Sequence, residues 1–136
     1  MIGFNQKLTE GVLPPSLTYL KLCCFDQKLD VGVLPSTLIK FEPGYDLTHP
    51  LKNGILPMSL KKLTLYAFYG FYDKIIQQTV IPNTVTHLTI YNFRHQLTEE
   101  FLPSQLICLE LNEEYYKISE KMTITQVVKN WNAGFV

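Results

Sequence analysis

One ten-residue unit, Leu56-Pro57-Met58-Ser59-Leu60-Lys61-Lys62-Leu63-Thr64-Leu65, recurs in altered form along most of this chain. Its proline fixes φ in a turn, and the residues that follow read as a short strand. Corresponding prolines fall at positions 14, 35, 57, 82 and 103, at intervals of 21, 22, 25 and 21 residues. A repeat of this length predicts one coil of a solenoid, which buries its apolar side only by stacking on neighbouring coils.

Apolar residues occupy the same positions in each coil, counted from the proline as zero. We therefore expect positions +3, +6 and +8 to point into a core, and positions +4, +5 and +7 to point outward from a parallel sheet. Apart from Pro43, the inward columns are all apolar: Leu17, Leu38, Leu60, Val85 and Leu106 at +3; Leu20, Phe41, Leu63, Leu88 and Leu109 at +6; Leu22, Leu65, Ile90 and Leu111 at +8.

The segment Phe4-Asn5-Gln6-Lys7-Leu8, followed by Gly11-Val12-Leu13-Pro14-Pro15-Ser16-Leu17, resembles the FNIP repeat, a variant of the leucine-rich repeat. The resemblance covers residues 1 to about 111. It implies a leucine-rich-repeat arc with a binding role, and in some relatives the substrate-recognition part of a ubiquitin-ligase assembly, behind an F-box. The coils beginning near 47, 72 and 93 lose the asparagine of this motif, so we do not expect an asparagine ladder to matter much.

The predicted architecture is a single domain, 1–136, with a leucine-rich-repeat solenoid fold that is α/β by convention and mostly β here. We expect a curved parallel sheet of about five rungs, called coils below, at about 1–22, 23–43, 44–65, 66–90 and 91–111, followed by a C-terminal cap over 112–136. The convex side should consist of turns, because positions −6 to −1 are too short for a stable helix. After Leu111, a sixth, incomplete turn is predicted, with Ile118 as a core residue.

A cap helix is predicted near the carboxyl end. Thr123 and Gln126 have the spacing of a capping box, and Gly134 is placed to end the helix. The helix is either a structural cap or a partner-binding helix. One helical stripe is formed by Ile124, Val127, Val128 and Trp131.

The amino end has no such cap. Phe4 already occupies a core position there, so this edge belongs to a longer array or pairs with another molecule. Self-association through the amino-terminal edge is therefore one expectation.

The charge balance excludes one class of partner. The 136 residues carry 12 basic and 12 acidic side chains, whereas a binder of the nucleic-acid backbone needs a basic face. No apolar run approaches the length of a membrane span. Three cysteines, two of them the neighbours Cys23 and Cys24, form no disulfide framework. We expect an intracellular, cytoplasmic protein without a nucleic-acid or membrane partner and without a cofactor.

Lysines cluster among the outward positions. Lys21 and Glu42 share column +7 and should form an ion pair between neighbouring strands. Lys40 and Lys62 share column +5, with Lys61 beside them, and like charges side by side are destabilising. The cluster is either a contact for an anionic partner or a solvated face that prevents aggregation.

Aromatic residues follow the middle strands. Tyr66, Phe68, Tyr69 and Phe71 crowd the longest loop, and Tyr45 and Tyr91 lie near it by register. They form a contact patch or pack the loop onto the core. The preferred hypothesis is a non-catalytic module that binds a protein partner of unknown identity. The residues predicted to contact it are Tyr19, Lys40, Lys61, Lys62, Tyr66, Tyr69, His87 and Tyr91.

Catalytic patterns are weaker. His87 and Cys108 share column +5 on adjacent coils, with Glu110 on the same strand, so a cysteine-dependent enzyme is the least favoured hypothesis. His49 and His95 lie two coils apart, near 10 Å, which is too far to share a metal ion. No catalytic, cofactor or metal residue is therefore predicted.

Overall fold

The computed structural model describes residues 4–45, 47–67 and 80–134. A single sheet contains six strands in chain order, and a helix follows it. A short 3₁₀ turn, Glu99–Phe101, precedes the fifth strand. The strands are β1 Tyr19–Lys21, β2 Lys40–Glu42, β3 Lys62–Tyr66, β4 His87–Tyr91, β5 Cys108–Leu111 and β6 Glu114–Lys117, and the helix is α1 Ile124–Asn132.

The first five strands are parallel and align as the proline repeat predicts. Position +5 is in register throughout the sheet, and position +6 follows one residue later. Because each strand begins the same number of residues after its proline, equal positions of successive coils lie side by side. The predicted β-solenoid is confirmed. The aligned +5 residues are Tyr19, Lys40, Lys62, His87 and Cys108.

The inward columns form one continuous core. From the second coil onward, positions +3 and +6 are buried in every coil. Position +8 is buried in all five coils, including the one that has Pro43 there. In the first coil Leu17 and Leu20 are only half-buried, because no described coil precedes it. The predicted inward and outward assignment is confirmed.

Turns connect these strands on the side of the core opposite the sheet. A backbone bond closes each one after its proline, as between the Leu38 N–H and the Pro35 carbonyl at 3.1 Å and between the Leu60 N–H and the Pro57 carbonyl at 3.1 Å. Among the described residues, the only helical segment between two strands is the 3₁₀ turn. The prediction of turns rather than long helices therefore holds for this part of the chain.

A ladder of hydroxyl groups, which we call the hydroxyl ladder, joins successive coils at position +2. Thr37 Oγ1 donates to the Leu17 carbonyl at 2.8 Å, and Ser59 Oγ donates to the Leu38 carbonyl at 2.7 Å. Thr84 Oγ1 repeats this contact with the Leu60 carbonyl at 3.0 Å. These bonds satisfy carbonyl groups at the turn-to-strand junction, where the strand ladder has not yet begun. They account for the serine or threonine at position +2 in the second, third and fourth coils, whereas the fifth coil has Gln105 there.

A second ladder runs along position −9, which was expected to matter little. Asn5 Oδ1 accepts the Asp26 N–H at 2.8 Å, and Asp26 Oδ1 in turn accepts the Thr48 N–H at 2.8 Å. The Thr48 hydroxyl donates to the same Asp26 oxygen, and these two bonds hold the pKa of Asp26 below its ordinary value. Asp26 thus supplies an acceptor equivalent to that of Asn5, and the ladder reaches Thr48 in the first of the coils that lack the asparagine.

The carboxyl end departs from the predicted sixth turn. β6 runs antiparallel to β5, so the chain reverses in a hairpin instead of making another coil. Asn112 and Glu113 form the turn with φ of +49° and +73°. Two consecutive residues with positive φ are typical of the tight turn that suits a two-residue hairpin. Ile118 packs half-buried against the core, as predicted, but it does so after the hairpin.

The cap helix confirms its predicted capping box. Thr123 Oγ1 accepts the Gln126 N–H at 3.3 Å, and Gln126 Oε1 accepts the Thr123 N–H at 3.0 Å. Val127 is fully buried, and the other three members of the predicted stripe pack partly buried against the core. The helix thus covers the last coil. In the part of the chain that the structure describes, no helix has the length and apolar character needed to cross a bilayer.

Candidate protein-binding surface

The outward side chains at positions +4, +5 and +7 form one surface, which we call the strand face. Four of the predicted contact residues, Tyr19, Lys40, Lys62 and His87, lie on consecutive strands in column +5. Adjacent strands are about 4.8 Å apart, so these side chains are immediate neighbours. Tyr19 and Lys62 are exposed, and the other two are partly exposed. The sheet therefore presents a row of three basic or ionisable groups beside a tyrosine.

Glu42 contacts two lysines and a tyrosine on the first two strands of the strand face. Its carboxylate lies 3.5 Å from Lys21 Nζ and 3.3 Å from Lys40 Nζ, and it accepts a bond from the Tyr19 hydroxyl at 3.1 Å. Burial opposes ionisation of Glu42, but the bonds from Lys40 and Tyr19 outweigh it and hold the pKa of Glu42 below its ordinary value. The predicted Lys21–Glu42 pair is confirmed. Lys40 also lies over the Tyr19 ring, 4.7 Å from its centroid.

Lys61 and Lys62 differ from the other lysines of the strand face. The register confirms that Lys40 and Lys62 are neighbours. Lys40 turns toward Glu42, whereas no described carboxylate lies within 4.0 Å of Lys61 or Lys62. Lys62 is exposed and Lys61 is partly exposed. The middle of the strand face therefore carries two adjacent positive charges that the described part of the chain does not neutralise.

His87 is held by its neighbour in sequence. Thr86 Oγ1 lies 2.8 Å from His87 Nδ1 and 3.3 Å from the Lys61 carbonyl oxygen. When the Thr86 hydroxyl donates to that carbonyl, its oxygen accepts a hydrogen bond from the His87 Nδ1–H, and Nε2 faces away from Thr86. His87 is thus oriented on the strand face next to Lys62.

Three tyrosines form a stack at the carboxyl ends of the strands, which we call the tyrosine ladder. The Tyr66 ring lies 5.1 Å from Tyr91 in a stacked arrangement and 5.7 Å from Tyr45 in an edge arrangement. Burial, and to a smaller extent Tyr91, raises the pKa of Tyr66. Tyr45 is exposed. The register prediction that Tyr45 and Tyr91 lie near Tyr66 is confirmed, whereas Tyr69, Phe68 and Phe71 lie outside the described residues.

The predicted cysteine and histidine pair is adjacent in register but has other contacts. His87 and Cys108 are partners in the β4–β5 pairing. Cys108 Sγ lies 3.0 Å from the Tyr115 hydroxyl on β6, and this contact raises the pKa of Tyr115. Sequence reasoning missed Tyr115, because the hairpin that brings it to Cys108 was not predicted.

Histidines elsewhere do not assemble a site. His49 Nε2 lies 3.8 Å from Asp26 Oδ1, and the His95 ring contacts Phe93. In the ranges that the structure describes, no group of three or more His, Cys, Asp or Glu side chains could hold a metal ion.

Two open depressions lie near the C-terminal cap. One of about 480 Å³ is lined by Phe93, Arg94 and Trp131 with residues of the cap. The other, of about 320 Å³, has Tyr91, Arg94 and Asn112 among its walls. Both are shallow, and the second adjoins the tyrosine ladder, so it extends the contact area at the strand ends.

Comparison with known proteins gives one match. A family model described as FNIP Repeat matches residues 4–46 and residues 72–114, which together make up more than half of the chain. No curated protein and no solved structure matches the chain.

Proposed function

The chain belongs to the FNIP repeat family, and on that premise we propose that it is a non-catalytic module that binds a partner protein through the strand face and the tyrosine ladder. A repeat solenoid of this kind offers a long, rigid surface instead of an enclosed cleft. Such a surface suits an extended or shallow protein contact better than a small substrate.

The observation that carries this proposal is the pair of adjacent charges on Lys61 and Lys62. Lys62 lies opposite Lys40 in the β2–β3 pairing, where like charges reduce the stability of a sheet, and neither Lys61 nor Lys62 has a described carboxylate within 4.0 Å. An acidic segment of a partner would offset that repulsion, because its carboxylates could pair with both ammonium groups. We therefore assign the partner as a protein with an acidic, extended segment at its contact site.

The tyrosine ladder supplies the apolar part of the contact. Tyr66 and Tyr91 are only partly buried, and their rings stack on each other. Tyrosine offers a large contact area with little loss of side-chain entropy. An acidic segment that contains an aromatic or aliphatic side chain would engage both the lysines and the ladder.

The contacts of Cys108 and His87 support a binding role over a catalytic one. A nucleophilic thiol needs its base within hydrogen-bond reach. Here Cys108 Sγ lies against the Tyr115 hydroxyl and His87 Nδ1 against the Thr86 hydroxyl. The same surface would serve a substrate-recognition part of a ubiquitin-ligase assembly, with the acidic segment then belonging to the substrate.

Binding of a labelled oligoglutamate peptide tests the proposal. We expect fluorescence anisotropy to show saturable binding that weakens with added salt. The double variant Lys61→Glu with Lys62→Glu should weaken binding about tenfold or more. A matched control, Lys7→Glu with Lys52→Glu, makes the same change of charge at two exposed sites outside the strand face.

Equal weakening in both double variants would show that only net charge matters, and would contradict the assignment of the strand face. Failure of the wild-type protein to bind oligoglutamate, at low salt and with the fold intact by circular dichroism, would also contradict it. Tyr66→Ala should weaken the binding of a glutamate peptide that contains tryptophan more than it weakens the binding of oligoglutamate.

A further inference from the structure

An irregular backbone pairing turns the side chains at position +4 outward. The N–H groups of Lys61 and Lys62 both donate to the Ile39 carbonyl, at 2.8 and 3.0 Å. Two consecutive residues thus share one acceptor, as in a β-bulge, and the usual alternation of side chains is interrupted. Thr86 and His87 repeat this pattern on the Lys61 carbonyl at 2.9 and 3.0 Å. Positions +4 and +5 therefore lie on the same side of the sheet, in agreement with the 2.8 Å contact between Thr86 Oγ1 and His87 Nδ1.

Lys61 and Lys62 consequently extend side by side from the strand face. They are consecutive residues, so their Cα atoms are about 3.8 Å apart, and both side chains are at least partly exposed. Lys40, the next lysine of column +5, has its Nζ 3.3 Å from the Glu42 carboxylate. Lys61 and Lys62 have no such partner among the described carboxylates. Two long, flexible cationic side chains can therefore reach one anion together.

His87 provides a third donor next to this pair. It lies opposite Lys62 in the β3–β4 pairing, about 4.8 Å away, and it is partly exposed. Its Nδ1 contacts the Thr86 hydroxyl, which leaves Nε2 for a ligand. An imidazole beside an anion is favoured in its protonated form, in which Nε2–H donates. We call Lys61, Lys62 and His87 the cation cluster.

We propose that the cation cluster binds a phosphorylated side chain in the partner's acidic segment. The inference rests on the proposed function and identifies the chemical group that meets the lysine pair. A phosphate monoester carries a charge of about −2 at neutral pH and has three acceptor oxygens. One such group therefore neutralises Lys61 and Lys62 together and keeps an oxygen for His87, whereas a carboxylate carries a single charge and has two oxygens.

Spacing also favours one phosphate over two carboxylates. Along an extended segment, side chains on the same side are two residues, or about 6.6 Å, apart. Two carboxylates would thus be spread over nearly twice the distance between the Cα atoms of Lys61 and Lys62. A phosphate places the same total charge at one point, within reach of both ammonium groups.

Binding of matched peptides tests this inference. The first peptide is oligoglutamate with phosphoserine in place of one central glutamate. The control peptide is oligoglutamate lengthened by one residue, so that its net charge equals that of the phosphoserine peptide. We expect fluorescence anisotropy to show that the phosphoserine peptide binds about tenfold more tightly than the control. Inorganic phosphate should bind far more weakly in calorimetry, because it lacks the contacts of the segment. Equally tight binding of inorganic phosphate would indicate a site for the free anion and would overturn the proposal.

Lysine variants locate the preference for phosphoserine. Lys61→Gln with Lys62→Gln should reduce the preference to about twofold or less. Lys7→Gln with Lys52→Gln makes the same change of charge outside the strand face and should keep the preference.

Histidine variants test the third donor. His87→Gln should weaken binding of the phosphoserine peptide about threefold and change binding of the control peptide little. His49→Gln is the matched control, because it removes a partly exposed histidine outside the strand face.

Equal binding of the phosphoserine and control peptides would overturn the inference. A preference that survives the change of both cluster lysines would overturn it too, as would equal effects of the two histidine variants. If oligoglutamate still binds the strand face in these cases, the proposed function stands without this inference. If the wild-type protein binds neither peptide, both are contradicted. Circular dichroism verifies that each variant keeps its fold.

Discussion

The side-chain amide of Asn132 pairs with the backbone of Leu97 as a neighbouring strand would. Its oxygen accepts the Leu97 N–H at 2.7 Å, and its nitrogen donates to the Leu97 carbonyl at 2.9 Å. Asn112 makes the same two contacts with the backbone of Phe93, at 2.8 and 2.6 Å. Trp131 Nε1 donates to the carbonyl of His95 at 2.9 Å. Side chains thus supply hydrogen-bond partners to the backbone of three alternate residues of the last coil, Phe93, His95 and Leu97.

Replacement of Asn132 by Asp should destabilise the cap. The carboxylate keeps the acceptor for the Leu97 N–H but places a charged oxygen against the Leu97 carbonyl in place of a donor. We expect a loss of about 1–3 kcal/mol in the free energy of unfolding, measured by urea denaturation. Asn130→Asp on the exposed side of the same helix is the control and should have little effect. Equal losses would mean that helix charge, and not the contact with Leu97, is responsible.

The hydroxyl ladder predicts a difference between two equivalent serines. Ser59→Ala removes the donor to the partly buried Leu38 carbonyl and should lower the free energy of unfolding by about 1 kcal/mol. Ser16→Ala changes the same position of the first coil, which no described coil precedes, and should have a smaller effect. Urea denaturation of both variants at low protein concentration makes the comparison. Equal effects would indicate a general preference for serine in this turn.

Truncation in the core should be far more costly than truncation on the strand face. Leu63 is 1% exposed, and Leu63→Ala should lower the free energy of unfolding by about 2–5 kcal/mol. Lys62→Ala, at the next residue but pointing outward, should change it by less than about 0.5 kcal/mol. Chemical denaturation checks this, provided that the m value, the slope of unfolding free energy against denaturant concentration, is the same for both variants. Similar losses would contradict the inward and outward assignment.

Glu42 should contribute a pH-dependent part of the stability. Since the folded protein lowers its pKa below the ordinary value of 4.5, the contribution is complete above that value and is lost as pH falls through the lower folded pKa. Glu42→Gln should therefore destabilise the protein near pH 7 by about 1 kcal/mol and by less near pH 3. Glu110→Gln, at the same position of β5, is the control. If the difference in the free energy of unfolding between the wild type and Glu42→Gln is the same near pH 7 and near pH 3, the prediction is contradicted.

Much of the fold was predictable because a solenoid repeats its constraints. Leu63 alone does not reveal whether its side chain points into the core or outward. Its equivalents Leu88 and Leu109 are also apolar and lie at the same distance from a proline, which predicts an inward column. All three side chains are buried. Register follows from the same spacing, which also placed Lys21 beside Glu42. The row of column +5 residues on the strand face was therefore predictable from the sequence.

The parts that were not predicted depend on individual contacts that the repeat pattern does not specify. Asn112 and Glu113 give no strong sign of a hairpin, because such turns usually contain glycine, and that hairpin brings Tyr115 to Cys108. The ladder at position −9 was discounted because the coils near 47, 72 and 93 lack the asparagine, although Asp26 accepts the same bond and Thr48 donates to it. The direction of the Lys40 side chain does not follow from the repeat, since both Glu42 and the Tyr19 ring are within its reach.

In every bond of the hydroxyl ladder, a coil donates to a carbonyl of the coil before it. The stack of coils therefore has a direction. A coil duplicated as a whole, from one proline to the next, would bring its own donor and offer a carbonyl to its successor. Genes that encode such chains could therefore lengthen or shorten by whole units without compensating changes elsewhere, whereas an insertion of a few residues inside a unit would break contacts with both neighbours.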